Sequence, residues 1–124
     1  MADAIRRAGD YRWVGVYDVG ETEIRIVAWS GGGPPAYPAF PRTQGLSGAA
    51  VAGARTVVAN DVANDPRYLE AFGDTRAEII VPVVVDGTVR GTIDVESATP
   101  NAFARADEEF LETCAAAALP LWSP

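Results

Sequence analysis

The stretch Arg76–Ser97, RAEIIVPVVVDGTVRGTIDVES, holds two runs rich in Val, Ile and Thr joined by Asp86-Gly87. β-Branched residues fit a pleated, half-buried surface, and an Asp-Gly pair between two such runs is a strong hairpin signal. The stretch therefore predicts a long antiparallel hairpin. Its register decides which side chains act together, because a slip of one residue exchanges the two faces.

A two-residue turn at Asp86-Gly87 would pair Val85 with Thr88 and set Asp94 among Ile79, Val81 and Val83, with Glu78 on the other side. Charge would then fall on both faces. A three-residue loop, Val85-Asp86-Gly87, with Gly87 left-handed, would pair Val84 with Thr88 and Glu78 with Asp94. One face would then read Ala77, Ile79, Val81, Val83, Val89, Gly91, Ile93 and Val95, and the other would gather Glu78, Asp94 and Glu96 at its far end. The second register is preferred, since it leaves one apolar face for helices to cover. Neighbouring carboxylates demand water, a proton or a cationic partner, which makes the cluster a candidate site. The plainer reading is a solvated strand face compensated by Arg90.

At 124 residues the chain predicts a single domain, residues 1–124, with one core. Seventeen acidic residues against ten basic ones speak against nucleic acid as a partner. Every basic residue is Arg, which removes Schiff-base and P-loop lysine chemistry. The absence of His removes Ser-His-Asp and Cys-His nucleophile systems, the usual haem ligand and most zinc sites. No metal or other cofactor is expected. One Cys allows no internal disulfide, and no apolar run is long enough for a membrane span or signal peptide, so a soluble, cytoplasmic domain is expected.

Ahead of the hairpin, residues 2–8 read as a short helix ended by Gly9, followed by strands over 11–19 and 22–30. In the second of these, Ile24, Ile26 and Ala28 would share one face and Arg25, Val27 and Trp29 the other. Gly31–Arg42, GGGPPAYPAFPR, reads as a connector that cannot continue a strand, with Tyr37 and Phe40 as lid residues. Gly45-Leu46-Ser47-Gly48 opens a small-residue helix to about Ala54, and 55–60 is a short strand. Asp65-Pro66 reads as the start of a helix to about Phe72. Finally, 104–119 is amphipathic, with Phe110, Cys114, Ala117, Ala118 and Leu121 as the buried stripe. Cys114 is expected as a buried small hydrophobe.

In this order, the two strands, the Pro-rich loop, the Gly-x-Ser-Gly helix, VANDVANDPRY, AEIIVP and TIDVES before an acidic C-terminal helix resemble a GAF domain over about Tyr11–Leu119. The resemblance implies an α+β fold: an antiparallel sheet with the terminal helices on one face and a ligand pocket under middle helices and loops on the other. It also implies a homodimer through the terminal helices. Within the family, GLSG (Gly45–Gly48), AEIIVP (Ala77–Pro82) and TIDVES (Thr92–Ser97) are similar to stretches of the free methionine-(R)-sulfoxide reductases. The resemblance puts Glu78, Asp94 and Glu96 on the substrate's polar groups. The thiols do not match: Ser47 stands at the catalytic cysteine's place, with Tyr37 and Ala71 about where the others fall. Sulfoxide reduction by that route needs a thiolate and a resolving thiol, which a Ser hydroxyl cannot supply.

The expectation is a non-catalytic sensory or regulatory module binding a small polar, amine-bearing ligand at Glu78, Asp94 and Glu96. Trp29, Tyr37, Phe40, Tyr68 and Phe72 would wall the pocket, and Ser47 with the Gly48 amide would add hydrogen bonds. Trp13 is assigned to the core. An enzyme acting on an amino-acid-like substrate and a structural dimerisation domain are the alternatives.

Overall fold

The hairpin forms, and a sheet extends from both of its sides. The computed structural model describes residues 1–69 and 72–122. Its strands are β1 (Trp13–Val19), β2 (Glu23–Gly31), β3 (Ala39–Pro41), β4 (Val57–Ala59), β5 (Ala77–Val85) and β6 (Thr88–Ser97). They make one antiparallel sheet in the order β3-β2-β1-β6-β5-β4. Three helices accompany it: α1 (Ala2–Gly9), α2 (Gly45–Gly53) and α3 (Arg105–Ala117).

The hairpin register differs from the one preferred above. Asp86 at φ 51° and Gly87 at φ 79° make a two-residue turn, so Val85 pairs with Thr88. The faces are nevertheless as expected over most of the hairpin, because the register shifts between Val83 and Val84, leaving Val84 opposite Val89 but Val83 opposite Gly91. One extra residue, Arg90, exchanges the faces of everything beyond it. Glu78 therefore lies opposite Glu96, and Asp94 lies opposite Ile80. Val89, on the turn side of the bulge, goes to the other face and packs with Trp13 and Tyr17.

A second bulge, between Val16 and Tyr17 in the pairing with β2, corrects the reading of that strand. Ile24 and Ile26 share the face of Val19 and Tyr17, while Ala28 crosses to the face of Val16 and Trp29 lies opposite Gly15. The Gly/Pro segment also yields more structure than its composition suggests. Ala39–Pro41 pairs with Glu23–Arg25 as an edge strand, where a proline's missing donor costs little.

One face of the sheet carries the main core. Ile5 of α1, Leu111 and Ala115 of α3, and Phe103 pack on Val14, Val16, Ile79, Val81, Ile93 and Val95. The buried stripe of α3 runs through Leu111, Ala115 and Ala118, one position round from the expected one, leaving Phe110 and Cys114 half-buried and Leu121 exposed. Truncating a fully enclosed side chain such as Leu111 to Ala costs about 2–5 kcal/mol. α1 ends one residue later than expected, with Asp10 rather than Gly9 in the left-handed conformation (φ 55°). Asp10 is among the few non-glycine types that tolerate it.

The other face is covered by α2 and by the chain between β4 and β5. Leu46, Ala50, Val57, Val62 and Ile80 form one cluster there, and Trp13, Tyr17, Ile24 and Val51 another. The helix expected after Pro66 does not form among the described residues. Val62–Asn64 makes a single 3-10 turn, and Asp65 then accepts the Arg67 N–H at 2.9 Å and holds its guanidinium. Tyr68 and Leu69 are the only large apolar groups at 65–69, too few for a helical stripe. Ala71 and the middle of the expected helix lie outside the described residues. No helix of the described residues is long and apolar enough to cross a membrane.

Candidate functional site

The β6 bulge places three carboxylates on the covered face. Glu78, Asp94 and Glu96 are 5 %, 4 % and 0 % exposed, and an oxygen of each lies within 4.8 Å of one from both others. Alternation along β6 sets Asp94 and Glu96 on one side, and pairing with β5 sets Glu78 beside them. Charge is not neutralised by a basic side chain. Among the described residues no arginine hydrogen-bonds to the cluster; Arg12 is bound to Asp74 and Arg67 to Asp65. Asp94 Oδ1 and Glu96 Oε2 are buried without a hydrogen-bond partner, as is Thr92 Oγ1. Glu96 Oε1 accepts from the Thr75 hydroxyl at 2.9 Å.

Such a cluster cannot stay fully ionised. Burial, then the charges of Asp94 and Glu96, hold the Glu78 carboxyl well above the usual range. Burial and the Asp94 charge raise Glu96 to about 9, against hydrogen bonds from Thr75 and Tyr68 and the more distant charge of Arg12. Asp94 rises less, to about 6, because burial is opposed by its hydrogen bond with Glu78. The three therefore share protons near neutral pH, with Glu78 the donor to Asp94. Tyr17 is also raised, first by burial and then by these acids.

The cavity at the cluster has a volume of about 20 Å³ and is lined by Tyr17, Tyr37, Phe40, Gly45, Leu46, Ser47, Leu69 and the three acids. Of the expected site residues, six meet there: Glu78, Asp94, Glu96, Ser47, Tyr37 and Phe40. Three do not line it. Trp29, brought by the bulge to the pocket face opposite Gly15, is 40 % exposed on β2 and does not reach the cavity. Phe72 packs edge-on against Trp13 at 5.2 Å, and Tyr68 packs on the α2 cluster with its hydroxyl directed to Phe72 O and, by its effect on Glu96, to the acids. The Gly48 N–H is committed to Gln44 O at 2.9 Å and is not available to a ligand. Trp13 is core as expected, but on the pocket side, and its Nε1–H donates to Gly33 O at 2.9 Å, pinning the Gly/Pro loop.

Tyr17, Leu69 and Thr75 were not anticipated. Tyr17 lies four residues from Trp13 on the same face of β1, but a strand apolar on both faces does not tell which face is the pocket; nothing in the sequence marks Leu69 or Thr75. The larger groove along α3 and β5, about 430 Å³, holds one carboxylate, Glu112, already bound by Thr56 at 2.6 Å. Cys114, the only cysteine, packs against the core on the opposite face of the sheet, where burial raises its thiol.

A six-stranded antiparallel sheet with α1 and α3 on one face, and α2 and a loop over a small acidic cavity on the other, defines an α+β domain. The GAF domain family model matches residues 1–119, and the chain belongs to that family. It is 30 % identical to the type II free methionine-R-sulfoxide reductase of Thermoplasma acidophilum, whose structure superposes with a TM-score of 0.92 over 97 % of this chain and 85 % of that one. It is 29 % identical over 102 residues to Protein YtsP of Bacillus subtilis, covering 82 % of this chain and 63 % of that protein. It is 30 % identical over 110 residues to the free methionine-R-sulfoxide reductase of Saccharomyces cerevisiae, covering 87 % and 61 %. The chain thus spans less than two thirds of the length of either curated relative.

Proposed function

We propose that this GAF domain is a non-catalytic sensory module whose pocket binds a small, polar, amine-bearing ligand. The observation that carries this reading is the set of three buried carboxylates with no arginine bound to them. A cationic ammonium group supplies what the protein does not: positive charge and three N–H donors for the oxygens of Glu78, Asp94 and Glu96. The similarity to free methionine-R-sulfoxide reductases makes free amino acids and their oxidised forms the first ligands to try. Turnover by a thiol route is disfavoured, because Ser47 lines the cavity and Cys114 lies across the sheet.

The cavity is smaller than any amino acid, so binding requires the loop carrying Tyr37 and Phe40 to move. In this reading the ligand shifts a population between loop positions, and the change is relayed through the sheet to α1 and α3, the surface proposed for a second copy. The test is a thermal-melt screen of amino acids, sulfoxides, polyamines and nucleotides, repeated with Glu78→Gln. A ligand at a hundredfold excess over its dissociation constant adds roughly 2.7 kcal/mol and moves the melting point by several degrees. The mutant should fold and lose that shift. An unchanged shift in the mutant would remove the acidic pocket from the reading, and methionine released from its sulfoxide would restore the enzymatic alternative.

A further inference from the structure

We infer that Glu78, Asp94 and Glu96 also form a site for one hard divalent cation of about the size of Ca2+, which excludes the amine-bearing ligand when bound. The inference uses the same carboxylates as the proposed amine site but does not depend on an amine ligand existing.

Three features carry it. The donor set is all oxygen, with no imidazole or thiolate near, which suits hard cations. Ca2+ takes oxygens at 2.3–2.6 Å, so donors on opposite sides of it stand about 4.6–5.2 Å apart. One oxygen from each of the three acids lies within 4.8 Å of those of the other two, close enough for all three to reach a single ion of that kind. Mg2+ demands near-ideal octahedral geometry and dehydrates reluctantly, so a nearly closed site of three carboxylates suits it less well than the more permissive Ca2+.

Second, the cluster leaves Asp94 Oδ1 and Glu96 Oε2 without partners although Asp94 is 4 % and Glu96 0 % exposed. Thr92 Oγ1, two residues before Asp94 on the same face of β6, is likewise unpartnered. Buried polar atoms are normally satisfied, and exceptions ask for an unseen partner. Third, the space matches. A cavity of about 20 Å³ admits one ion or one water with the loop in place, whereas an organic amine needs the loop to open.

The test uses the whole chain after chelator treatment. Tb3+, a luminescent stand-in for Ca2+, is titrated with excitation through the aromatic groups, of which Tyr17 lines the cavity. The expected result is saturable emission at one ion per chain, displaced by Ca2+, lost in Asp94→Asn and in Glu96→Gln, and kept in the surface control Glu112→Gln. Asp94→Asn and Glu96→Gln keep the size of each side chain and a hydrogen-bonding carbonyl, so both are expected to fold, which their melting curves check. Emission that does not saturate, or that is the same in Asp94→Asn, would mean surface carboxylates alone and would overturn the inference. The amine screen repeated with chelator separates the two readings. Stabilisation by an amine with none by Ca2+ sinks this inference and leaves the ligand reading standing; stabilisation by Ca2+ with no amine hit does the reverse. Where both stabilise, Ca2+ should suppress the amine's shift, and additive shifts would refute a shared site.

Discussion

Glu78 and Glu96 stand directly opposite each other on β5 and β6, both closed from solvent. Two carboxylates so placed repel when ionised, and desolvation disfavours each charge separately. The pair persists because protons neutralise part of it, as the raised carboxyls of Glu78 and Glu96 require.

The proton balance fixes the sign of a pH effect. Glu96 is raised from 4.5 to about 9 and Asp94 from 3.8 to about 6, so between these limits the folded domain holds protons the unfolded chain has released. Stability then falls as pH rises, fastest where the two windows overlap. The ligand-free domain should melt several degrees lower at about pH 9 than at about pH 5. Glu96→Gln should flatten that slope and raise the melting point at the alkaline end. Melting curves across pH decide it, and a mutant slope equal to the wild type would show that Glu96 is not the titrating group.

The clustering of the acids was legible in Thr92–Ser97 and Ala77–Pro82, because strand alternation leaves Asp94 and Glu96 on one side whatever the turn. What the residues did not reveal was how Glu78 joins them. A bulge is a property of pairing between strands, and neither the Arg90 bulge nor the Val27 bulge leaves a mark on its own strand. The first bulge was mistaken for a longer loop, which gave the right faces with a register two residues out. The second set Ile24, Ile26 and Trp29 on one face, but Trp29 stands opposite Gly15, too far along the strand to wall the cavity. Tyr17 was missed for a different reason: β1 is apolar on both faces, so alternation could not tell pocket from core.

Trp13 links the core to the loop over the cavity through one hydrogen bond, its Nε1–H to Gly33 O. Trp13→Phe preserves an aromatic ring against Phe72 but deletes that donor. We expect a stability loss of about 1 kcal/mol, with faster amide exchange concentrated over residues 32–37 and little change in β5 and β6. Hydrogen exchange measured by segment distinguishes this from a general loosening. Uniform acceleration would mean that the indole acts through packing and that its hydrogen bond does not hold the loop.

Gly48 sits in the first turn of α2, beside Ser47 and two residues after Leu46, both in the cavity wall. A Cβ there would lie 2.5 Å from the Thr43 carbonyl carbon, 2.7 Å from its oxygen and 3.2 Å from Arg42 O, all backbone atoms that a rotamer change cannot clear. On helix propensity alone Gly48→Ala should stabilise by roughly 0.5–1 kcal/mol. Overpacking costs about 1–3 kcal/mol and acts against it, so the net effect should be a loss. The strain falls on the junction between β3 and α2, which carries Phe40 on one side and Ser47 on the other. Gly48→Ala should therefore weaken ligand binding more than an equally destabilising Leu111→Val in the opposite core. Comparing ligand-induced melting shifts in the two variants tests this. Equal losses would mean that the close approach of α2 to Thr43 serves stability and has no part in shaping the pocket.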